Sequence, residues 1–244
     1  MTFANAGNET RRAIVEAITA HEQNRPRTLQ TAVVCSALGT PCDRQLAFRI
    51  NGSQPVRARE TSWVATIGIS VHAYLETIFS AGDRWLSEVP VKVTHGSVSI
   101  PGTVDLYDKE TKTVVDFKVV ADTTLSNARA GRVSDQYLTQ VNLYALGLHQ
   151  LGHPVDNVAI FFLPKTKELS AGVFFERPVD KTLTVLALQR YAAIKIALDN
   201  NAKVTDFAPT NAPCDWCDWY DPTAAATDVK SCRGVLPQLK NPTT

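Results

Sequence analysis

Apolar residues recur at helical spacing at positions 67, 71, 75 and 78, which predicts a helix over residues 62–79. A second stripe, Tyr137, Val141, Tyr144, Leu148 and Leu151, predicts a helix over 134–151. Between them the residues read as strand formers, at 87–94, 97–107 and 113–120, with the turn-like Asp108-Lys109-Glu110-Thr111 joining the last two. Two more strands are expected at 155–163 and 171–177, and Asp180 suits the N-cap of a helix reaching about residue 200. Upstream, 10–21 reads as a short helix, 24–31 as a polar connector broken by Pro26, and 43–50 as a helix after the Thr40-Pro41 stop. Residues 51–59 form a loop rich in Gly, Pro and Arg, and from 201 onward the chain is irregular. The order helix, three strands, helix, strands, helix predicts an α/β core with a mixed central sheet flanked by helices. Three parts follow: a helical segment at 1–61, the core at 62–200, and a cysteine-bearing tail at 201–244.

Composition fits that picture. With 244 residues, 44 % of them hydrophobic and 20 % charged, the chain suits one medium domain with an appendage. No stretch approaches the apolar length of a membrane span, and residues 1–12 hold no apolar run behind a basic one. A cytoplasmic location is expected. A net charge of +1 argues against binding nucleic acid by overall field, though not against an enzyme whose bound cations bring positive charge to a phosphate. Five cysteines, an odd number split between the two ends of the chain, favour metal ligation over a disulfide framework.

The chemistry concentrates in the second and third strands. Side chains alternate along a strand, so Asp116 and Lys118 share one face while Val115, Phe117 and Val119 take the other. In the preceding strand Val98, Ile100, Gly102, Val104 and Leu106 share a face, with Asp105 opposite. A tight hairpin would bring Asp105 close to Asp116. Two adjacent carboxylates repel unless a cation joins them, and oxygen ligands suit Mg²⁺ or Mn²⁺. A lysine beside such a pair can orient and help deprotonate an attacking water. Taken alone, Asp-x-Lys also fits an ordinary hairpin with charges on its solvent face. Gly68, His72 and Glu76 sit four apart on one helix face, where His72 is either a metal ligand or a histidine satisfied at the core edge. Gln136, Gln140 and Tyr144 line one ridge of the later helix and offer amide and phenol groups suited to phosphate or base edges. Tyr144 equally serves the packing stripe.

In chain order these pieces resemble the RecB-like branch of the PD-(D/E)xK nucleases: G-x-x-x-H at Gly68 and His72, G-x-x-D at Gly102 and Asp105, D-x-K at Asp116 and Lys118, and Q-x-x-x-Y at Gln140 and Tyr144. The resemblance implies a restriction-endonuclease-like core in which His72, Asp105, Asp116 and the Phe117 carbonyl hold the catalytic metal. Lys118 would act on the attacking water, and Gln140 and Tyr144 would support site and substrate.

Cys42-Asp43-Arg44 is similar to the C-x-R of the family's iron–sulphur members, and Phe207-Ala208-Pro209 before Cys214-Asp215-Trp216-Cys217 is similar to their C-terminal segment. Those members include AddB-like nuclease domains and the fourth-family CRISPR-associated exonucleases. The likeness implies a [4Fe–4S] cluster on Cys42, Cys214, Cys217 and Cys232, formed from both chain ends, with zinc as the alternative. One departure is the 14-residue gap between Cys217 and Cys232, where the family gap is short. Cys35 has no counterpart and reads as a buried free thiol.

Arg44, Arg57, Arg59, Arg129, Arg132 and Gln136 are candidates to hold DNA near the metal, or else ordinary surface groups. The activity implied is metal-dependent DNA hydrolysis from an end, on single-stranded or unwound DNA, in recombination, replication or repair of a phage or bacterium. Spacer processing in CRISPR adaptation, a non-catalytic DNA-binding module and a zinc-binding regulator are the rival expectations.

Overall fold

The computed structural model describes residues 3–23, 33–57, 63–210 and 214–235. The connector expected at 24–31 lies outside them. Five strands make one sheet in sequence order. Strand β1 (Trp85–His95) pairs antiparallel with β2 (Val98–Asp108), and β2 with β3 (Thr113–Val120). Strand β4 (Asn157–Pro164) lies parallel to β3, and β5 (Val173–Pro178) closes the far edge antiparallel to β4.

A parallel pair needs a long crossover. Here it is made by two helices, α5 (Asp122–Arg129) and α6 (Asp135–Gln150). Helix α5 escapes a reading by periodicity because only Leu125 and Ala128 anchor it, too few to draw a stripe. Helix α6 starts where Ser134 Oγ accepts from the Tyr137 N–H, and it is buried almost all round from Leu138 to Leu148. The expected stripe stops short, since Leu151 lies beyond the helix end and is 54 % exposed. Helix α7 (Lys181–Asp199) begins as expected at Asp180, whose carboxylate accepts from the Thr182 and Leu183 amides.

The sheet separates two apolar clusters of unequal size. The larger takes in Val91, Val93, Ile100, Val114, Val141, Leu148, Ile160 and Leu188. Segments on either side of the sheet region join it. Helix α1 (Phe3–Gln23) precedes the described ends of that core; Cys35 and Leu38 of α2 (Cys35–Leu38), Leu46 and Phe48 of α3 (Asp43–Ile50), and Val204 and Trp219 all pack there. Trp219 stacks on Phe48 with ring centroids 5.3 Å apart, so the tail is fastened to α3 by buried aromatic area.

The smaller cluster is covered by α4 (Trp63–Phe79), whose Val71, Leu75 and Phe79 rest on Leu106, Val115 and Phe117. Of the expected α4 stripe, Ile78 is instead 47 % exposed, because this small patch takes up only one end of the helix.

The face assignment in β2 also changes at one point. Val98, Ile100 and Val104 reach the larger cluster with Tyr107, but Leu106 reaches the smaller one. The expected common face therefore ends before Leu106. Its partner strand switches in step: Leu86 faces the larger cluster on an even position, Val89, Val91 and Val93 on odd ones. At the switch Glu88 has φ 48°, and the ladder runs Ser87↔Leu106 then Val89↔Val104 with no pairing of Glu88 and Asp105 between. The kink turns both acidic side chains out of a regular strand.

Candidate active site

Strands β2 and β3 pair only over Leu106↔Val115, Tyr107↔Val114 and Asp108↔Thr113. Where the ladder ends, a carboxylate replaces the missing backbone acceptor: Asp105 Oδ2 accepts from the Phe117 N–H at 2.8 Å. This side-chain bond brings Asp105 and Asp116 side by side, as the hairpin argument expects. Asp116 is fully buried. Lys118 Nζ lies 2.9 Å from its Oδ2 and 3.2 Å from its Oδ1. Gln140 of α6 donates from Nε2 to Asp116 Oδ1 at 2.9 Å and to the Tyr144 hydroxyl at 2.8 Å, while its Oε1 accepts from Lys118 at 3.2 Å. Four sequence-predicted residues thus form one hydrogen-bonded chain. The Tyr137 ring adds a wall 5.1 Å from the Lys118 nitrogen.

His72 reaches the same place from α4. Its Nε2 is 3.1 Å from the Phe117 carbonyl oxygen, and its Nδ1 is 3.6 Å from Asp105 and 3.8 Å from Glu88. With an N–H on Nε2 donated to that carbonyl, Nδ1 faces the two acids, carrying a proton in the charged ring and a lone pair in the neutral one. Glu76, expected on the same face, is exposed, and Gly68 has open space beside it. Glu88 is the residue that sequence reasoning missed. Counting back from a turn at His95-Gly96 would have set it opposite Asp105.

The electrostatics follow from crowding acids where little water reaches. Burial, then repulsion from Asp116, pushes the Asp105 carboxyl up to about 7, against the pull of His72, the Phe117 N–H and Lys118. The contact with Glu88 raises His72, opposed by burial and helped by Asp105 and Asp116. Burial lowers Lys118, but Asp116 and Asp105 outweigh it, so the lysine stays an ammonium. Burial raises the Tyr144 phenol, which stays neutral and donates or accepts hydrogen bonds only. Among the described residues, His72, Glu88 and Asp105 are the group whose ligand atoms all lie within 4.8 Å of one another. One imidazole nitrogen with two carboxylates is a donor set that fits Mn²⁺ or Mg²⁺.

The chain matches no family model and no curated relative. Its shape does have solved counterparts. An alkaline exonuclease from Laribacter hongkongensis superposes with a TM-score of 0.50 at 12 % identity, covering 76 % of this chain and 93 % of that one. The same exonuclease in complex with dAMP gives 0.50 at 11 %, over 70 % and 89 %. The protein SSO0001 gives 0.52 at 13 %, over 86 % of this chain and 94 % of its own. The likeness is one of fold. It agrees with the expected α/β core, a five-stranded mixed sheet between helices.

Away from this site, Cys42, Cys214, Cys217 and Cys232 line one small cavity with Phe48 and Tyr220. The long gap before Cys232 is closed in space: Tyr220 and Cys232 form a β-bridge, and the Cys232 N–H donates to the Trp219 carbonyl at 2.7 Å. The intervening residues loop out and return. Cys42 Sγ accepts from the Gln45 N–H at 3.4 Å and Cys232 Sγ from the Gly234 N–H at 3.3 Å. Burial pushes the Cys217 thiol up to about 11. Cys35 stands apart, fully buried against the Ile100 carbonyl, and burial pushes its thiol up to about 12.

The groups expected to hold DNA are mostly engaged elsewhere. Arg44 donates to the Phe207 and Thr205 carbonyls at 2.9 Å each and approaches Cys232 Sγ at 3.7 Å, which ties α3 to the tail. Arg57 donates to the Asp215 carbonyl, Arg129 to the Ala171 carbonyl, Arg132 to Asn127 and Gln136 to the Ser36 carbonyl. Arg59 lies outside the described residues. Of these, Arg129 and Arg132 are exposed and sit in the crossover that follows β3. No helix among the described residues is long and apolar enough to cross a membrane.

Proposed function

We propose that this protein is a Mg²⁺- or Mn²⁺-dependent DNA exonuclease of the PD-(D/E)xK type. The observation that carries the reading is the convergence of Asp105, Asp116, Lys118 and Gln140, from two strands and a helix, beside His72. His72 and Asp105 hold the cation, with Asp116 and the Phe117 carbonyl next to them on β3 offering further oxygens. When bound, the cation neutralises charge on the scissile phosphate and favours its attack by water.

The chain's own residues supply the rest. Lys118, held as an ammonium between Asp116 and Gln140, donates to the attacking water or to a phosphate oxygen and so stabilises charge that grows as the phosphorus is attacked. Gln140 fixes the lysine and the carboxylate in one geometry, and Tyr144 fixes Gln140. Arg129 and Arg132, exposed in the crossover that follows β3, are the arginines this reading assigns to steering a strand. End processing in recombination, replication or repair is the setting that suits such an enzyme.

The test is incubation of purified protein with end-labelled linear DNA and covalently closed circular DNA, with and without Mn²⁺. Loss of the linear species alone, only with the cation, is expected. Folded protein that leaves linear DNA intact with either cation overturns the reading.

The four tail and α3 cysteines hold a [4Fe–4S] cluster on this reading. What supports a shared site is position, since the four line one small cavity between α3 and the tail, and zinc on the same four thiolates is the alternative. Anaerobically purified protein should be brown and contain iron and acid-labile sulphide. Stoichiometric zinc without sulphide overturns the cluster and leaves the nuclease reading standing.

A further inference from the structure

Glu88 belongs to none of the motifs that suggest a nuclease, and nothing in its strand's packing calls for it. It lies on β1, a strand away from the Asp105–Asp116 pair, at the one place where the β1–β2 ladder drops a pair. Its φ of 48° is a left-handed conformation that a glutamate adopts at a cost in free energy. A regular strand there would restore the missing pair. The kink instead directs the carboxylate to the imidazole of His72, whose Nδ1 is 3.8 Å from Glu88 Oε1 and 3.6 Å from Asp105 Oδ1. The three ligand atoms come within 4.8 Å of one another, and each arrives from a different element, α4, β1 and β2.

Two further points separate a ligand from a bystander. Asp116, the other acid of the site, has the Lys118 ammonium and the Gln140 amide hydrogen-bonded to Oδ1, with the same ammonium 2.9 Å from its buried Oδ2, which makes no hydrogen bond among the described residues. Glu88 has no Lys or Arg partner of that kind among the ion pairs of the described residues; its charged contact is the histidine. Two carboxylates around one imidazole, with no fixed cation of their own, make an arrangement that a divalent ion completes.

We propose that Glu88 is a direct ligand of the catalytic cation, together with His72 and Asp105. This rests on the nuclease reading above, and it adds an anionic ligand that the motifs do not contain. A third ligand on the α4 side gives the ion a seat before DNA arrives, so binding of the cation precedes and does not require the substrate.

The experiment is titration of Mn²⁺ into the full-length, metal-free protein without DNA, following the electron paramagnetic resonance signal of free Mn²⁺. Wild type is expected to take up the ion, and Glu88→Gln to raise its Kd tenfold or more. Glu88→Gly is the second variant, because glycine accepts the positive φ and removes the carboxylate without strain; it should show the same loss with thermal stability at or above wild type. The same comparison in a His72→Ala background separates ligation from steering. A direct ligand keeps its tenfold effect there, whereas a residue that only orients the imidazole becomes silent, which overturns the proposal. A Kd within twofold of wild type in either variant also overturns it and leaves the nuclease reading intact. Wild-type protein that takes up no Mn²⁺ without DNA overturns the proposal as well, whereas the nuclease reading falls only if linear DNA stays intact with Mn²⁺.

Discussion

Replacing Lys118 with methionine removes an ammonium from beside a fully buried carboxylate while keeping most of the side-chain volume. Asp116 then retains the Gln140 amide at 2.9 Å and no cation within ion-pair distance among the described residues. Breaking a buried pair by deleting one partner costs about 3–5 kcal/mol, because the remaining charge stays desolvated. The lower end applies here, since the lysine side chain is 20 % exposed and water can reach the space it leaves. A loss of about 3 kcal/mol corresponds to a fall in Tm of roughly 6–12 °C for a chain of this size.

Neutralising the orphan should recover most of that loss. In Lys118→Met with Asp116→Asn the amide still accepts from Gln140, and the double variant should lie within about 1 kcal/mol of wild type. Both proteins should cleave DNA at least about a hundredfold more slowly, since neither holds the ammonium that meets the growing charge. Urea unfolding of the two single variants and the double gives the coupling energy, expected at about 2 kcal/mol or more according to what Asp116→Asn costs alone, and end-labelled DNA gives the rates. Additive losses, or Lys118→Met cleaving at the wild-type rate, would refute the claim that this lysine holds the buried acid and serves the reaction.

Three further outcomes follow from the geometry. A Cβ at Gly102 would stand 2.9 Å from Cys35 Sγ and 2.9 Å from Tyr144 Cε1, so Gly102→Ala should cost about 1–3 kcal/mol and slow cleavage by pushing Tyr144 against Gln140; adding Cys35→Ala should recover part of the stability, and no recovery in urea unfolding would rule out this contact. The Asp105 carboxyl, raised to about 7 when folded, binds its proton more tightly in the native state, so its contribution is fully present at acid pH and is lost as pH rises from about 4 to about 7. Asp105→Asn should therefore make the metal-free protein more stable at pH 8, by about 1–3 kcal/mol, with the gain fading toward pH 5; a gain that does not change with pH in thermal melts contradicts the shift. Cys35, buried and pushed up to about 12, should resist iodoacetamide at pH 8 in folded protein and react in urea, and stoichiometric labelling of the native protein at that position would show that it is not buried.

The parts of this site legible in the sequence are those set by local periodicity. Alternation along 113–120 puts Asp116 and Lys118 on one face, and in the fold the hairpin through Asp108 brings the Asp105 carboxylate onto the Phe117 amide beside them. Glu88 is within reach of register counting from the His95-Gly96 turn, whereas its left-handed backbone and the turn of Leu106 to the other core are what alternation does not anticipate. The arginines fail differently. A guanidinium in a loop looks available until the fold brings a carbonyl to it, as Phe207 and Thr205 are brought to Arg44 across more than half the chain. The cysteine tail shows the same limit in reverse. Counted along the chain, the 14 residues between Cys217 and Cys232 look too many for one site. Spacing in sequence constrains distance only when the intervening chain is extended, and here the Tyr220–Cys232 bridge pins the two ends of the loop together. Loop closure grows dearer only slowly with length, so the extra residues cost little once Trp219 is buried against Phe48 and the Cys232 amide is bonded to the Trp219 carbonyl. What brings Cys232 to the cavity is therefore that anchored aromatic residue, two positions past Cys217, and not the number of residues that follow it.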